Sequence, residues 1–152
     1  MNSNRGIGFW FLVIIGCLLN ILYIVGQTVC IFAYDWTVSL GLQDSVEAVT
    51  PVGVAFSRGF GIGDTLLYIP LFMIGIVGLI RRTALGMYAL FGALAVTVYW
   101  PIVCLGAVYM AKGAPGWKLT TYTEYTAVLP LIAAYGLWGM WYVYSRRSHL
   151  VD

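Results

Sequence analysis

Residues 63–82 read GDTLLYIPLFMIGIVGLIRR, and this stretch decides how the chain folds. A carboxylate at Asp64 precedes an uncharged apolar run from 65 to 80, which two arginines close. As an α-helix this run rises only about 24 Å, which falls short of a hydrocarbon core of about 30 Å. The spanning helix is therefore predicted to begin earlier, near Phe60, with Asp64 inside its first turns.

Three further runs without charged side chains lie on either side of this stretch, at 6–34, 83–111 and 125–145. The 152-residue chain is 61% hydrophobic and only 9% charged, which is too apolar for the surface of a soluble domain. The sequence predicts an all-α fold, a four-transmembrane-helix bundle in one integral, multi-pass membrane domain over 1–152. The predicted helices lie at about 7–34, 60–80, 84–110 and 124–144, with an external loop at 35–59.

The basic residues predict the orientation of the bundle. Arg5, the pair 81–82 and the pair 146–147 lie at the N-terminus, the second connection and the C-terminus. Because cytoplasmic connections carry an excess of Lys and Arg, both termini are predicted to face the cytoplasm.

Proline marks each of the last three helices, at Pro70, Pro101 and Pro130. Proline cannot bond to the carbonyl four residues earlier, so each one predicts a kink and a freed carbonyl. Kinks in the outer half of three helices would open a cavity there. Aromatic side chains are predicted to surround this cavity: Tyr34, Tyr68, Tyr99, Trp100 and Tyr125.

One face of helix one carries a line of polar side chains. Asn20, Tyr23, Gln27 and Tyr34 recur at helical spacing, so they are predicted to point into the bundle. Such side chains can line a site, or they can simply bond to neighbouring helices.

Helix capping can explain one of the carboxylates near the outer end, Glu124, but not Asp64. Glu124 shares with Asp64 a spacing of six residues to a proline, but Thr121-x-x-Glu124 also has the spacing of a capping box. Asp64 is drawn below the membrane surface, where an acid is neutral, paired or functional. Asp35 could approach Asp64, and the two would then share a proton, bind a cation or move a proton. The candidate ligand-binding residues are Gln27, Tyr34, Asp35, Asp64, Tyr68, Tyr99, Trp100 and Glu124.

These positions resemble the EXPERA family. The likeness rests on a few positions across the four helices: 34–36, Asp64 with Pro70, Tyr88, Thr97 with Pro101, and Pro130. The resemblance implies a tilted helix bundle whose cavity accepts sterols or amphipathic amines, with Asp35 and Asp64 as the acids that hold the cation. No histidine accompanies these acids within the helices, so the resemblance implies a binding protein more than a complete sterol isomerase.

The remaining residues limit the chemistry. The single histidine, His149, lies in the C-terminal tail, and the three cysteines have no metal-binding spacing. No metal or cofactor is therefore expected, and no catalytic residue is assigned. The net charge of +2 is explained by topology-setting arginines, so no nucleic-acid partner is expected. The expected partners are membrane lipids and a hydrophobic or amphipathic small molecule.

The function predicted from these features is binding of a hydrophobic or amphipathic ligand, sterol-like or cationic, in a cavity near the outer face. Three alternatives remain open. One is a small proton- or cation-coupled transporter or channel subunit. Another is an accessory structural subunit or homo-oligomer, because small residues suit tight helix contacts. The third is a lipid or sterol isomerase-like enzyme that uses carboxylate acid/base catalysis.

Overall fold

Five helices make up the regular structure of the described part of this chain. The computed structural model describes residues 5–119 and 122–150, except the side chains of 122–124, and all its regular elements are helical. The helices are α1 (Ile7–Phe32), α2 (Tyr34–Ser39), α3 (Val46–Ile80), α4 (Ala84–Met110) and α5 (Tyr122–Leu150). All but the short α2 are long and apolar enough to cross a membrane, which confirms the predicted all-α, four-span architecture.

The four long helices pack as antiparallel neighbours. At one end, the guanidinium of Arg5 donates to the carbonyl of Ile80 at 2.8 Å, which fixes the start of α1 beside the end of α3. Tyr135 of α5 donates from its hydroxyl to the carbonyl of Leu12 in α1 at 2.7 Å. We call the end that carries Arg5, Arg82 and Arg146 the arginine end, and the opposite end, with the connections 40–45 and 111–121, the loop end.

Glycines allow the helix backbones to approach closely. Gly78 of α3 lies directly against Gly86 of α4, where a side chain on either residue would collide with the other backbone. At Gly75, an added Cβ would lie 2.6 Å from the Cα of Leu90. The small residues that suggested contacts with a second chain are therefore used, in large part, within this one.

α1 and α3 each contain one five-residue π-helical turn, at Ile24–Thr28 and Asp64–Tyr68. The two turns face each other, and the hydroxyls of Thr28 and Thr65 share a hydrogen bond of 2.8 Å between them. The second turn ends two residues before Pro70, whose missing N–H cannot close an α-helical bond. Such bulges reposition side chains within an otherwise continuous helix.

The second spanning helix begins far earlier than the sequence suggested. α3 extends to Val46, with one break at Thr50 (φ 66°), where the proline that follows disfavours α-helical backbone. Most of the predicted external loop at 35–59 is thus helical, and Asp64 lies well inside the helix instead of in its first turns. The prediction failed because it extended the apolar run back only as far as the thickness of the membrane required. Gly61 lets α3 pack against the backbone of α1 at Gln27.

A second, smaller apolar cluster closes the loop end. Val49, Val108 and Leu119 pack together there, and Trp117 covers them. The amide of Lys118 donates to the carbonyl of Ala48 at 2.8 Å, which ties the connection that follows α4 to the first turn of α3.

Candidate functional site

Three aromatic side chains from three helices meet near the loop end. The ring of Tyr23 in α1 lies 4.7 Å from that of Tyr68 in α3 and 5.8 Å from that of Trp100 in α4. Tyr23 and Trp100 are each sixteen residues from the first residue of their helix, Ile7 and Ala84, which lie at the arginine end. Asp64 is equally far from Ile80. At 1.5 Å per residue, Tyr23, Trp100 and Asp64 are therefore each about 24 Å from the arginine end, so these three residues form one layer.

Tyr68 is fixed within this layer by a chain of hydrogen bonds. Its hydroxyl lies 2.8 Å from that of Thr97, whose own hydroxyl donates to the carbonyl of Ala93 at 2.9 Å. Since the single Thr97 hydrogen is used there, Tyr68 must be the donor to Thr97. Both side chains are almost completely buried, so this pair provides a rigid wall behind Tyr23.

Three polar atoms of the layer lack a hydrogen-bond partner within the described part of the chain. They are the hydroxyl of Tyr23, Oδ2 of Asp64 and Nε1 of Trp100, and all three atoms are buried. Asp64 lies within electrostatic range of the Tyr23 and Tyr68 hydroxyls. A buried polar atom without a partner is costly, so a concentration of such atoms in one layer indicates a site that something else completes.

A cavity of about 300 Å³ opens beside this layer toward the loop end. Tyr23, Gln27 and Trp100 line it from the bundle, and Tyr125 lines it from the start of α5. Its apolar wall consists of Leu22, Val128, Leu129 and Ile132. The cavity thus combines an apolar surface with a few convergent polar groups, as small-molecule sites do.

The connection 40–45 forms the remaining wall of the cavity and brings a carboxylate to it. Oδ2 of Asp44 accepts a short hydrogen bond from the Tyr125 hydroxyl, which joins the connection to α5. The amide of Gln43 donates to the carbonyl of Gly26 at 3.0 Å, within the π-turn of α1. Asp44 is therefore a fixed negative group at the edge of the cavity.

The predicted polar line of helix one is confirmed, because Asn20, Tyr23, Gln27 and Tyr34 are all buried, with exposed fractions of 8% or less. Of the predicted site residues, Gln27 and Trp100 line the cavity, and Tyr68 lies behind Tyr23 without lining it. Asp64 belongs to the same layer but is buried, 6% exposed, and does not line the cavity.

Tyr99 does not belong to the cavity. Its side chain is 64% exposed, so its prediction as a cavity wall is wrong. The buried face of α4 contains Thr97, and Tyr99, two residues later, is rotated about 200° from it. Trp100, three residues after Thr97, is rotated only about 60° from the buried face, so its side chain can reach the cavity.

Asp35 lies apart from Asp64, and the structure records no contact between these two described carboxylates. Asp35 is exposed in a separate cleft that Tyr34 and Arg58 also line. The Arg58 guanidinium stacks over the Tyr34 ring at 5.6 Å, and the Tyr34 hydroxyl donates to the carbonyl of Asp44 at 2.9 Å. Burial raises the pKa of the Tyr34 phenol above its usual range. The predicted pairing of Asp35 with Asp64 is therefore wrong, because α2 starts a new helix after Ala33 and points Asp35 to the surface.

Glu124 lies in the first turn of α5, but its side chain is outside the described residues, as is Thr121. The predicted helix cap there stays a prediction.

Asp44, the carboxylate that does reach the cavity, was not predicted from the sequence. Asp44 lies in a short connection with no periodicity, so only the polar pair Gln43-Asp44 within an apolar chain could have indicated it. Tyr125 was placed correctly around the cavity. Among the residues that the structure describes, no group of three His, Cys, Asp or Glu side chains could hold a metal ion.

Comparison of this chain with protein-family models, curated proteins and solved structures found no match.

Proposed function

We propose that this protein binds a small amphipathic molecule, sterol-like or cationic, in the cavity between α1, α4, α5 and the connection 40–45. The observation that carries the proposal is that two residues that line the cavity, Tyr23 and Trp100, each have a buried polar atom without a described partner, the hydroxyl and Nε1. A ligand that brings a hydrogen-bond acceptor would satisfy the indole N–H, which can only donate. The Tyr23 hydroxyl can then donate or accept.

The two ligand classes would use the cavity differently. A sterol-like hydroxyl can accept from Trp100 and needs no charge. An amine would be attracted to the Asp44 carboxylate and to the faces of Tyr23 and Trp100. In both cases the apolar part would lie against the side chains of α5, such as Leu129 and Ile132.

Photoreactive probes test this proposal directly. The purified protein is titrated with a photoreactive sterol and with a photoreactive long-chain alkylamine, and the labelled peptides are identified by mass spectrometry. We expect labels on peptides that contain Trp100 or residues 125–132. Loss of one hydrogen bond in Trp100→Phe is expected to weaken labelling by about threefold to tenfold.

The control is Tyr99→Phe, an aromatic substitution one residue away on the exposed face. It should not change labelling by either probe. Asp44→Asn should weaken labelling by the amine and spare the sterol, which separates the two ligand classes. Equal labelling of Trp100→Phe and Tyr99→Phe would remove the basis of the proposal.

A second candidate function, a proton- or cation-coupled carrier, is favoured by the surroundings of Asp64. This carboxylate is buried within a π-turn that faces another π-turn, and the hydroxyls of Thr28 and Thr65 lie between the two helices. Acids inside membrane spans often mark ion or proton pathways.

Proteoliposomes that contain a pH-sensitive dye test the second candidate. An imposed sodium or potassium gradient should acidify or alkalinise the lumen with wild-type protein but not with Asp64→Asn. The exposed Asp35→Asn is the matched control and should behave as wild type. Equal signals from empty and loaded vesicles would exclude this function and leave the binding proposal unaffected.

Several finer features belong to the same proposal. The arginines at one end support an orientation with both termini in the cytoplasm. Bends at Pro70, Pro101 and Pro130 would widen the cavity. The EXPERA resemblance supports an amphipathic ligand, although its predicted second acid, Asp35, lies elsewhere and Asp44 occupies the corresponding role in our proposal.

A further inference from the structure

A second cavity, of about 240 Å³, lies at the arginine end, away from the proposed ligand site. Four basic side chains from three separate parts of the chain line it: Arg5 before α1, Arg82 after α3, and Arg146 and His149 near the end of α5. Tyr142 adds a hydroxyl to the lining. No acidic side chain is among the described lining residues.

The described acids all lie in the half of the molecule that contains the loop end. Asp35, Asp44 and Glu47 belong to α2, the connection and the start of α3, and Asp64 lies about 24 Å from the arginine end. The long separation, together with the clustering of arginines, makes this cavity the most positive part of the described surface.

Arg5 is held in place at this cavity by contacts that leave most of its donors available. One guanidinium nitrogen donates to the carbonyl of Ile80, and the guanidinium lies 5.2 Å from the centre of the Phe9 ring. A guanidinium has five N–H donors in a planar fork that matches phosphate oxygens. Arg5 is therefore an ordered anion-binding group.

The neighbouring arginines Arg146 and Arg147 have different surroundings, and only Arg146 lines the cavity. The Arg147 guanidinium donates to the carbonyl of Tyr144 at 2.8 Å and lies 4.5 Å from the centre of its ring. Arg147 does not line the cavity, whereas Arg146 does and has no recorded hydrogen bond or ring contact among the described residues. Arginines that only set topology need no such convergence on one concave surface.

We infer that this cavity binds a phosphate-bearing anion, either the headgroup of an anionic phospholipid or free phosphate. The cavity lies at the end of the spanning helices, where the headgroups of one leaflet are expected. Basic pockets between transmembrane helices bind such headgroups by charge and by the N–H donors of arginine. The inference does not depend on the ligand site at the other end.

Thermal unfolding of the detergent-purified protein tests the inference. Phosphatidylglycerol, phosphatidylcholine and inorganic phosphate are titrated separately, and sodium chloride is used to match ionic strength. We expect stabilisation by phosphatidylglycerol but not by phosphatidylcholine. Additional stabilisation by inorganic phosphate, beyond that of chloride, would identify free phosphate as the ligand.

Two single variants distinguish a built site from surface attraction. Arg146→Gln should raise the midpoint concentration of the stabilising anion by about fivefold, whereas Arg147→Gln should leave it unchanged. Both side chains are exposed, so both variants should fold, and His149→Gln provides a second change within the cavity. The inference is overturned if no phosphate-bearing anion stabilises the wild type, or if Arg146→Gln and Arg147→Gln weaken the effect equally.

Discussion

At the residue scale, the layer formed by Tyr23, Asp64 and Trp100 is the unusual feature of this molecule. Each contributes one buried polar atom that no described residue satisfies. Tyr68, in contact with the same layer, has its hydrogen bond to Thr97. Trp117 also has a buried indole N–H without a described partner, but it lies in the separate apolar cluster at the loop end. In the layer, a ligand, a proton or an ion would supply the missing partners.

Asp64→Asn is predicted to fold and to be at least as stable as the wild type. The substitution keeps the shape of the side chain and removes an acid whose Oδ2 has no partner in the described residues. We expect an unfolding free energy that is unchanged or raised by about 1 kcal/mol, measured by thermal unfolding in detergent. Asp35→Asn, which changes an exposed acid, is the control and should have no effect. A clear loss of stability in Asp64→Asn alone would mean that the carboxylate is paired.

Individual residues were predictable where helix periodicity determines direction. Asn20, Tyr23 and Gln27 point inward as their spacing indicates, even though α1 contains a π-turn. Tyr34 is also buried, but it starts a new helix, α2, so the spacing along α1 does not explain its position. The prediction for Tyr99 was wrong because it rested on the neighbouring aromatic residues Tyr99 and Trp100 and not on helix periodicity, which places Tyr99 on the outer face.

At the element scale, close backbone contact between α3 and α4 fixes the position of the layer. Gly78 and Gly86 touch at the arginine end, and Leu90 packs against Gly75 one turn further along. The two helices therefore stay in contact from the turn at 81–83 up toward Tyr68 and Thr97. Glycine here serves packing, since any side chain would separate the helices.

Gly86→Ala is predicted to destabilise the protein, whereas Gly106→Ala in the same helix is not. The added Cβ at Gly86 would collide with the backbone of Gly78, while Gly106 has open space around it. We expect a loss of about 1–3 kcal/mol for Gly86→Ala and no loss or a small gain for Gly106→Ala, measured by thermal unfolding. Similar stabilities for the two variants would contradict the close contact.

The same property explains why the start of α3 could not be predicted. Gly61 packs against α1, a partner that is distant in sequence, whereas Gly59 and Gly63 have open space around them. The π-turns are likewise invisible to periodicity. Element type was predictable from hydropathy, but the start of α3 was not.

At the scale of the whole molecule, the up-and-down topology brings the start of α1, the turn at 81–83 and the C-terminal end of α5 to one end. Four uncharged runs and the positions of the arginines were sufficient to predict this arrangement. The wall that the connection 40–45 adds to the cavity could not be predicted, because this connection is fixed by single contacts such as that of Gln43 with Gly26.

Epitope tags on both termini are predicted to be accessible from the same side of the membrane. Inside-out vesicles treated with protease should lose both tags, and right-side-out vesicles should keep both. A tag in the connection 111–121 provides the control, since it should show the opposite pattern. Cleavage of one terminal tag and protection of the other would contradict the four-span topology.

The most direct test of the central claim is an experimental density map of the protein crystallised from a lipid mesophase with native lipid extract. We expect density for a bound amphipathic molecule in the cavity, with a polar atom within hydrogen-bond distance of Nε1 of Trp100 and near the Tyr23 hydroxyl. A cavity that is closed by protein side chains, with both atoms satisfied by the chain itself, would contradict the account.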